Sequence, residues 1–414
     1  MTERRIAVLG GGMLGLCTAL ELARRGKLVT VIEGAPDIMQ GASRWNEGKI
    51  HLGYLYAADP GLSTAARLIP AGLAFADLVE RHIGQALTAF TTDDDVYLVH
   101  RDSVVSADAF ASYAARVASL VRDAASRAGA PRYLTDLADE RAVRLSPSQL
   151  AATSSSDDVV AGFRVGERSV STVPIADLLC RAVRAEPRIE LHVGRWVEGV
   201  RRRNDGRLDI TLRGGNDEDL RGFDVIVNAL WEGRPAIDAS LGHLPPAPWS
   251  HRFRAAVFAR TIDSSLHSAV LCTGPFGDVK RYADGRLYLS WYRAGLLAEG
   301  IAIEPPRDEA GISPGRRAKV QADTLAALAR YFPGVSELSR DPGALEVHGG
   351  WVYAIGQGSL ADPASSLHQR DKFTISADRG YISVDTAKYS LAPWLAVRVA
   401  DLICDSRRTI TAAP

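Results

Sequence analysis

The sequence predicts an α/β fold, in which a parallel sheet covered by helices is interrupted by a second, α+β part with an antiparallel sheet. Two apolar runs, Ile6–Leu9 and Leu28–Ile32, flank a stretch with helical periodicity, which is the pattern of a β-α-β unit. Helix and strand patterns alternate again after residue 170 and near the C-terminus, with alanine-rich and strand-rich segments between them. The doubly wound part is therefore predicted to consist of separate stretches of chain.

Each element is predicted from its apolar periodicity and from the turn residues that bound it. The predicted strands of the doubly wound part are Ile6–Leu9, Leu28–Ile32, Ile189–Val193, Trp196–Arg202, Leu208–Leu212, Phe223–Leu230 and Tyr381–Val384. The predicted helices are Met13–Arg25, Pro60–Val79, Ala107–Ala130, Ile175–Ala185, Arg316–Phe332 and Leu391–Cys404. Ala89–Val99 predicts two short strands around the acidic turn Asp93–Asp95. We assign residues 1–62, 151–245 and 351–414 to the doubly wound part, and residues 63–150 and 246–350 to the inserted part.

Three glycines connect the first strand to the first helix. Gly10 permits a tight turn, Gly12 permits close approach of the backbone to a pyrophosphate, and Gly15 permits close packing of helix and sheet. The amides of Met13 and Leu14 then point from the positive end of the helix dipole toward the phosphates. The turn therefore predicts a phosphate site.

Glu33 closes the second apolar run, where a carboxylate can accept hydrogen bonds from ribose hydroxyls. A carboxylate there also repels a 2′-phosphate, which disfavours NADP. Together with the glycine turn, it predicts a Rossmann-like domain that binds an adenine dinucleotide. The pattern leaves FAD and NAD open.

Composition excludes several other classes. The 414 residues carry 49 basic and 49 acidic side chains, so the overall charge does not indicate nucleic-acid binding. Cysteines are few and isolated, which argues against a zinc site or a disulfide framework and predicts a cytoplasmic location. No apolar run approaches the ~20 residues of a membrane span.

A polar segment with several glycines follows Glu33. Its glycines permit close backbone approach to a ligand, and its polar side chains offer hydrogen-bond donors. The residues proposed to contact a cofactor are Gly41, Ser43, Arg44, Asn46, Gly48, Lys49 and His51. From spacing alone, an ordinary polar loop is the alternative.

The segment from Gly41 to Gly53 resembles the GxSxxNxGxxxxG pattern of the D-amino-acid-oxidase-like family of FAD-dependent oxidoreductases. Phe223–Ala229 is similar to the family's DxVVNAxG strand. The resemblance implies FAD rather than NAD, an FAD-binding domain and a substrate-binding domain. It further implies cofactor contacts at Val197, Asn228, Ala229, Thr386, Ala387, Lys388 and Tyr389.

Two departures from the family pattern concern the flavin. The insertion Leu230–Arg234 stands where the family has Gly and Trp, and Asp385–Pro393 lacks the glycines that cover the flavin ring. His51 is predicted to contact the flavin, and covalent attachment through its ring is the alternative.

Such enzymes need an anchor that holds the substrate against the flavin, and arginine suits a carboxylate. Strand alternation puts Tyr288, Ser290 and Tyr292 on one face. The predicted catalytic or substrate-anchoring residues are Arg281, Tyr292, Tyr353, His368, Arg370 and Lys388. Surface ion pairs and packing are the alternative roles for several of them.

The resemblance implies an oxidoreductase that dehydrogenates a C–N or C–O bond of a small polar amine, amino acid or hydroxy acid by hydride transfer to flavin N5. An oxidase, with molecular oxygen as the electron acceptor, and a dehydrogenase both stay open. One alternative is a tailoring oxidase for an amino sugar or another biosynthetic intermediate. The other is a non-catalytic regulatory protein that binds FAD or NAD.

Overall fold

The computed structural model describes residues 4–215, 220–244, 248–260, 265–306 and 312–405. Its strands, in chain order, are β1 Ile6–Leu9, β2 Val29–Ile32, β3 Lys49–Ile50, β4 Asp95–His100, β5 Val143–Arg144, β6 Val159–Val165, β7 Arg168–Ser169, β8 Ile189–His192, β9 Val197–Arg202, β10 Leu208–Leu212, β11 Val225–Asn228, β12 Trp249–Arg260, β13 Ala269–Cys272, β14 Gly277–Arg281, β15 Arg286–Trp291, β16 Leu296–Gly300, β17 Leu345–Ile355, β18 Thr374–Asp378 and β19 Tyr381–Asp385. Its helices are α1 Met13–Arg24, α2 Ser63–Ile83, α3 Ala107–Ala125, α4 Pro147–Thr153, α5 Thr172–Ala185, α6 Arg234–Ser240, α7 Tyr292–Gly295, α8 Pro314–Ala329, α9 Val335–Leu338 and α10 Ala392–Cys404.

A six-stranded sheet forms the doubly wound part, in the order β18-β19-β11-β1-β2-β8. Its inner strands pair in parallel, and only β18 runs antiparallel to its neighbour. Every residue of β1 is buried, because α1, α5 and α10 cover one face while α6 and the β9–β10 hairpin cover the other. The predicted α/β fold is confirmed, and most predicted elements lie within a few residues of the observed ones.

The inserted part is a nine-stranded mixed sheet in the order β16-β12-β15-β14-β13-β4-β6-β5, with β17 also paired to β12. The pairing of β12 with β17 runs from Trp249 opposite Ile355 to Ala259 opposite Leu345. Helix α8 packs its apolar side against this sheet. The long strand β12 therefore pairs with β15, β16 and β17, and these pairings fix the positions of its side chains.

Three placements differ from the sequence predictions. Residues 89–99 hold a short 3-10 turn and one strand, β4, rather than two strands, since the buried Asp95 belongs to the strand itself. Strand β6 joins the nine-stranded sheet, although residues 151–245 were assigned to the doubly wound part. Helix α2, assigned to the inserted part, packs against α5 and α10. Periodicity identifies an element but not the sheet or layer that it joins.

The predicted boundary between residues 245 and 246 falls outside the described residues, and the full division into domains stays a prediction. Among the helices that the structure describes, none combines the length and the apolar character needed to cross a membrane.

Candidate active site

A cavity of about 1140 Å³ lies where the two sheets meet. On one side it is lined by the segments that follow the carboxyl ends of β1, β2, β11 and β19. On the other side it is lined by residues of β12, β14, β15 and β17. In open α/β sheets the carboxyl ends of the strands are where ligands bind. The cavity therefore lies where the sequence predicted a dinucleotide.

The glycine turn has the geometry that the sequence predicted. Gly10 has φ of +101°, and a Cβ there would lie 2.9 Å from the carbonyl oxygen of Ala229. A Cβ on Gly15 would lie 1.9 Å from the carbonyl oxygen of Gly10, so only glycine lets α1 approach the turn. The cavity is lined by Gly10, Gly12, Met13 and Leu14. Gly15 packs against the turn and does not line the cavity. The backbone of the turn thus borders the cavity, with the amide of Gly10 donating to the carbonyl of Ile32 at 2.8 Å.

Glu33 and Ser43 complete this end of the cavity. The carboxylate of Glu33 accepts hydrogen bonds from the amides of Gly11 and Ala35, both at 2.7 Å. Ser43 Oγ accepts a hydrogen bond from the Met13 amide at 2.9 Å, so it sits at the N-terminus of α1. Its hydroxyl hydrogen remains available to a phosphate oxygen. We call this set, from Gly10 to Leu14 with Glu33 and Ser43, the nucleotide end.

The segment around residues 41–53 holds its shape through contacts with its surroundings. Arg44 forms an ion pair with Asp177 at 2.7 Å and donates to the carbonyl of Met39. The side chain of Asn46 donates to the carbonyl of Ala42 and accepts from the amide of Gly48. Both Arg44 and Gly48 lie outside the cavity wall, so they shape the segment rather than face the cavity.

The insertion at Leu230–Arg234 forms a 3-10 turn followed by the start of α6. Trp231, with φ of +51°, donates its indole N–H to the carbonyl of Trp351 at 2.8 Å. Asn228 is fully buried and donates to Tyr381 and Asp238, so it anchors α6 to the sheet. Ala229 lines the cavity and Asn228 does not.

The C-terminal segment lacks glycine, yet it bends into the cavity. Ala387 has φ of +50° and its amide donates to Asp385, so an alanine takes the left-handed conformation that glycine usually supplies. Thr386, Ala387, Lys388 and Tyr389 all line the cavity. The segment predicted to contact the cofactor therefore reaches the cavity without the glycines.

Basic and aromatic side chains form the opposite end of the cavity, which we call the reactive end. Arg252 is only 5% exposed and donates from Nη1 to the hydroxyl of Tyr292 at 3.2 Å. Its Nε and Nη2 have no partner among the described residues. Arg254 stacks over the ring of Tyr292 at 3.9 Å from the centroid. Arg370 and Lys388 line the same cavity.

The positive charges at the reactive end lower the pKa values of neighbouring basic groups. Burial and then the charge of Arg370 lower the pKa of Lys388 to about 7. Burial, followed by the charge of Arg252, lowers the pKa of Arg370 to about 10. Burial together with the charge of Lys388 lowers the pKa of His51 well below its usual range. At neutral pH, His51 is therefore neutral and Lys388 is poised between its two forms.

Lys49 also borders the cavity, but its ammonium is already paired. Asp95 accepts from Lys49 Nζ and from Lys280 Nζ, each at 2.6 Å, and Glu167 lies 3.9 Å from Lys49. All four side chains are buried. Lys49 is therefore tied into the framework beneath the cavity.

The structure brings together most of the predicted site residues. Those that line the cavity are Gly10, Gly12, Met13, Leu14, Glu33, Gly41, Ser43, Asn46, Lys49, His51, Val197, Ala229, Tyr292, His368, Arg370, Thr386, Ala387, Lys388 and Tyr389. Tyr353 and Arg281, predicted as catalytic, do not line it. Tyr353 is fully buried, with Arg234 over its ring, and a strand position alone could not show this.

Sequence reasoning missed Arg252, Arg254, Glu47 and Asp278, which all line the cavity. The sequence contained part of the information needed to find the two arginines. Arg252 and Arg254 are two residues apart in a strand-like run, and this spacing places them on the same face of a strand. Tyr288, Ser290 and Tyr292 do line the cavity together, and the alternation predicted for them is confirmed.

The donor set fits a flavin dinucleotide. At the nucleotide end, the start of α1 and the Ser43 hydroxyl would face a pyrophosphate, and the Glu33 carboxylate would face a ribose. Further along, His51 Nδ1 and the hydroxyls of Tyr56 and Tyr389 are buried without a partner among the described residues. Buried polar atoms of this kind need a partner, and a polar ring system can supply one.

The fold and the cavity together are those of a dinucleotide-binding protein in which a second sheet borders the ligand cavity. The sequence profile described as FAD dependent oxidoreductase (DAO) matches residues 5–357. The chain belongs to this family, and FAD is its cofactor. Membership makes it an enzyme, so the NAD-binding and regulatory alternatives are wrong.

Solved structures share the fold at low sequence identity. Glycine oxidase from Geobacillus kaustophilus has 16% identity and a TM-score of 0.67, over 100% of this chain and 97% of that chain. L-Amino acid deaminase from Proteus myxofaciens in complex with anthranilate has 14% identity and a TM-score of 0.67, over 99% and 92%. L-α-Glycerophosphate oxidase from Mycoplasma pneumoniae with FAD bound has 16% identity and a TM-score of 0.64, over 100% and 97%. No curated protein sequence matches the chain.

Proposed function

We propose that this enzyme oxidises the C–N or C–O bond of a small molecule that carries a carboxylate, such as an amino acid or a hydroxy acid. One observation supports the carboxylate above all others, namely the buried Arg252 with two unpartnered donor nitrogens at the cavity. A buried guanidinium without an anion is costly, and a carboxylate matches its fork with two parallel hydrogen bonds. The substrate would supply the missing partner.

Other residues of the reactive end would orient the molecule. Tyr292 fixes the guanidinium of Arg252 through its hydroxyl, and Arg254 packs on the ring of Tyr292. Bound FAD would supply the acceptor for a hydride from the substrate carbon. The chain's task is to hold the C–H bond toward the flavin and to take the proton from the adjacent nitrogen or oxygen.

We assign that proton to Nζ of Lys388. Its pKa of about 7 leaves a large fraction of free amine at neutral pH, and a base works best when its pKa lies near the working pH. Arg370 and Arg252 then disfavour a positive charge on Lys388 until the substrate carboxylate arrives. Substrate binding and proton transfer would therefore be coupled.

We also propose molecular oxygen as the electron acceptor. Once Lys388 carries the proton, its ammonium adds positive charge at the reactive end, where a negatively charged oxygen species would be stabilised. An oxygen electrode tests this directly, since an oxidase consumes oxygen and forms hydrogen peroxide during turnover, whereas a dehydrogenase requires an artificial acceptor.

The proposed function is tested by anaerobic titration of the purified holoenzyme. Amino acids, hydroxy acids and the corresponding amines without a carboxylate are added one at a time, and the flavin absorbance is followed. We expect bleaching by at least one carboxylate-bearing compound and none by its decarboxylated analogue. Equal bleaching by both compounds, or no bleaching by any compound, would contradict the proposal.

A further inference from the structure

Two arginines lie side by side on β12, and the proposed function gives only one of them a ligand. Arg252 and Arg254 are two residues apart, so their side chains leave the same face of the strand, and both line the cavity. The phenol of Tyr292 joins the two. Its hydroxyl accepts from Arg252 Nη1 at 3.2 Å, and the centre of its ring lies 3.9 Å from the guanidinium carbon of Arg254. The two positive charges are therefore held next to each other at the reactive end.

The contact with Tyr292 leaves the hydrogen-bond donors of Arg254 unused. A guanidinium has five N–H donors that lie in its own plane, and packing on an aromatic face takes none of them. Nε of Arg254 is buried and has no hydrogen-bond partner among the described residues. Its two Nη atoms also make no hydrogen bond to the part of the chain that the structure describes. This half-buried cation is thus able to bind an anion.

Among the described residues, no carboxylate offsets either charge. The acidic side chains of the cavity wall are Glu33, Glu47, Glu198, Glu232, Asp278 and Glu304. None of them has an oxygen within 4.0 Å of the guanidinium of Arg252 or Arg254. On the neighbouring strand, Val352 pairs with Arg252 and Gly350 pairs with Arg254, and neither residue has a side-chain acceptor. Two unpaired cations in a partly dry site repel each other, and bound anions would remove this cost.

The arrangement suits two anionic groups better than one. A carboxylate that takes two parallel hydrogen bonds from the fork of Arg252 has both of its oxygens engaged. Arg254 lies two residues further along the strand, which is about 6.6 Å of extended chain. Because both guanidinium groups contact the same phenol, an anion at Arg254 would lie only a few bonds from the first anion.

We propose that the substrate carries a second anionic group, a carboxylate or a phosphate, and that Arg254 binds it. This inference rests on the proposed function and narrows it to acids in which a short chain joins the first carboxylate to the second group. Arg252 holds the first group, Arg254 holds the second, and Tyr292 sets the distance between the two arginines. A substrate with one acidic group would leave Arg254 unpaired.

The test measures how acids without an oxidisable C–N or C–O bond bind to the FAD-loaded enzyme. Acetate is compared with malonate, propionate with succinate, butyrate with glutarate and valerate with adipate, at a pH at which every acid group is ionised. Dissociation constants are taken from the shift in the flavin spectrum. We expect one diacid to bind about 10-fold to 100-fold more tightly than its monoacid, which is the gain from one additional charge-assisted pair. Shorter and longer diacids should gain less, because one spacer length fits the two arginines best.

Phosphonocarboxylates distinguish the two kinds of second group. Each diacid is replaced by the phosphonocarboxylate of the same spacer length, for example malonate by phosphonoacetate. Tighter binding of the phosphonocarboxylate identifies the second group as a phosphate, and tighter binding of the diacid identifies it as a carboxylate.

Matched variants assign the gain to Arg254. Arg254→Met should leave diacid and monoacid within about 3-fold of each other, with the monoacid constant changed by less than about 3-fold. Tyr292→Phe removes the hydroxyl that holds Arg252 but keeps the ring beside Arg254, so both acids should lose affinity by a similar factor. Arg316→Met, on an exposed position of α8, should change neither constant. FAD content and melting temperature are measured for each variant, so that misfolding is detected.

Four results would overturn the inference. Diacids and monoacids could bind equally at every spacer length, or the gain could survive in Arg254→Met. An equal gain at every spacer length would reflect only the overall positive charge of the cavity. Loss of FAD from Arg254→Met would assign Arg254 to the cofactor. In these four cases monoacids still bind to the native enzyme. If no acid of either kind shifts the flavin spectrum, the proposed function itself fails.

Discussion

The two ends of the cavity differ in whether backbone or side chains form most of the wall. At the nucleotide end, the glycine backbone and the first residues of α1 line the cavity, with Glu33 as the single carboxylate of that set. At the reactive end, charged and aromatic side chains such as Arg252, Tyr292 and Lys388 face it, and they come from distant parts of the chain. A binding site formed by backbone depends on the local chain conformation, so few substitutions there preserve its shape. A binding site formed by side chains can acquire a different substrate specificity through single substitutions.

The difference implies that damage to the nucleotide end removes the cofactor, while damage to the reactive end changes chemistry with the cofactor still bound. Each of the following variants tests one side of that contrast.

Gly15→Ala should have the largest effect, because its Cβ would lie 1.9 Å from the carbonyl oxygen of Gly10. Helix α1 must then move away from the turn, and we expect FAD affinity to fall at least about 100-fold. Flavin content after desalting and fluorescence titration measure this. Gly315→Ala is the matched control, since no atom lies within 4 Å of the added methyl group. Full FAD occupancy in Gly15→Ala would show that the turn is not the binding element.

Lys388→Met should leave FAD bound and slow flavin reduction by about 100-fold. In the native enzyme the reduction rate should rise with pH around 7, because the free amine is the active form and burial lowers its pKa to about 7. In the variant this rise should disappear. Lys319→Met, on the exposed side of α8, serves as the control. A pH profile that survives in Lys388→Met would assign the proton to another group.

Ser43→Ala should have the smallest effect of the three. It removes the acceptor of the Met13 amide at 2.9 Å, and loss of one such hydrogen bond costs about 1 kcal/mol. We expect FAD affinity to fall about 5-fold with little change in the rate of flavin reduction. Ser112→Ala, which removes a hydrogen bond on α3, controls for general destabilisation. A changed rate with unchanged affinity would place Ser43 at the reactive end.

The contrast also explains how much could be predicted from sequence. The nucleotide end is local: Gly10, Gly12 and Gly15 lie between a strand and a helix, and each glycine meets a steric requirement that can be stated in advance. The fold followed from apolar runs for the same reason. Leu208–Leu212, for example, was predicted with the bounds that the structure has.

The reactive end could not be predicted to the same depth, because its residues meet only in three dimensions. Arg252 and Tyr292, for example, lie on different elements, and a hydrogen bond joins their side chains. Tyr353 illustrates the opposite error, since it shares strand β17 with residues of the cavity wall yet is buried away from the cavity. Sheet pairing decides such placements, and periodicity does not specify it.

The proposed function depends most on Arg252, which is expected to bind the substrate carboxylate beside the flavin. The most direct measurement is the dissociation constant of a carboxylate that cannot be oxidised, acetate or benzoate, from the shift that it causes in the flavin spectrum. We predict that Arg252→Met raises this constant at least about 30-fold and that Arg252→Lys raises it less, with FAD content unchanged in both. An unchanged dissociation constant in Arg252→Met holoenzyme would show that Arg252 does not bind the substrate carboxylate.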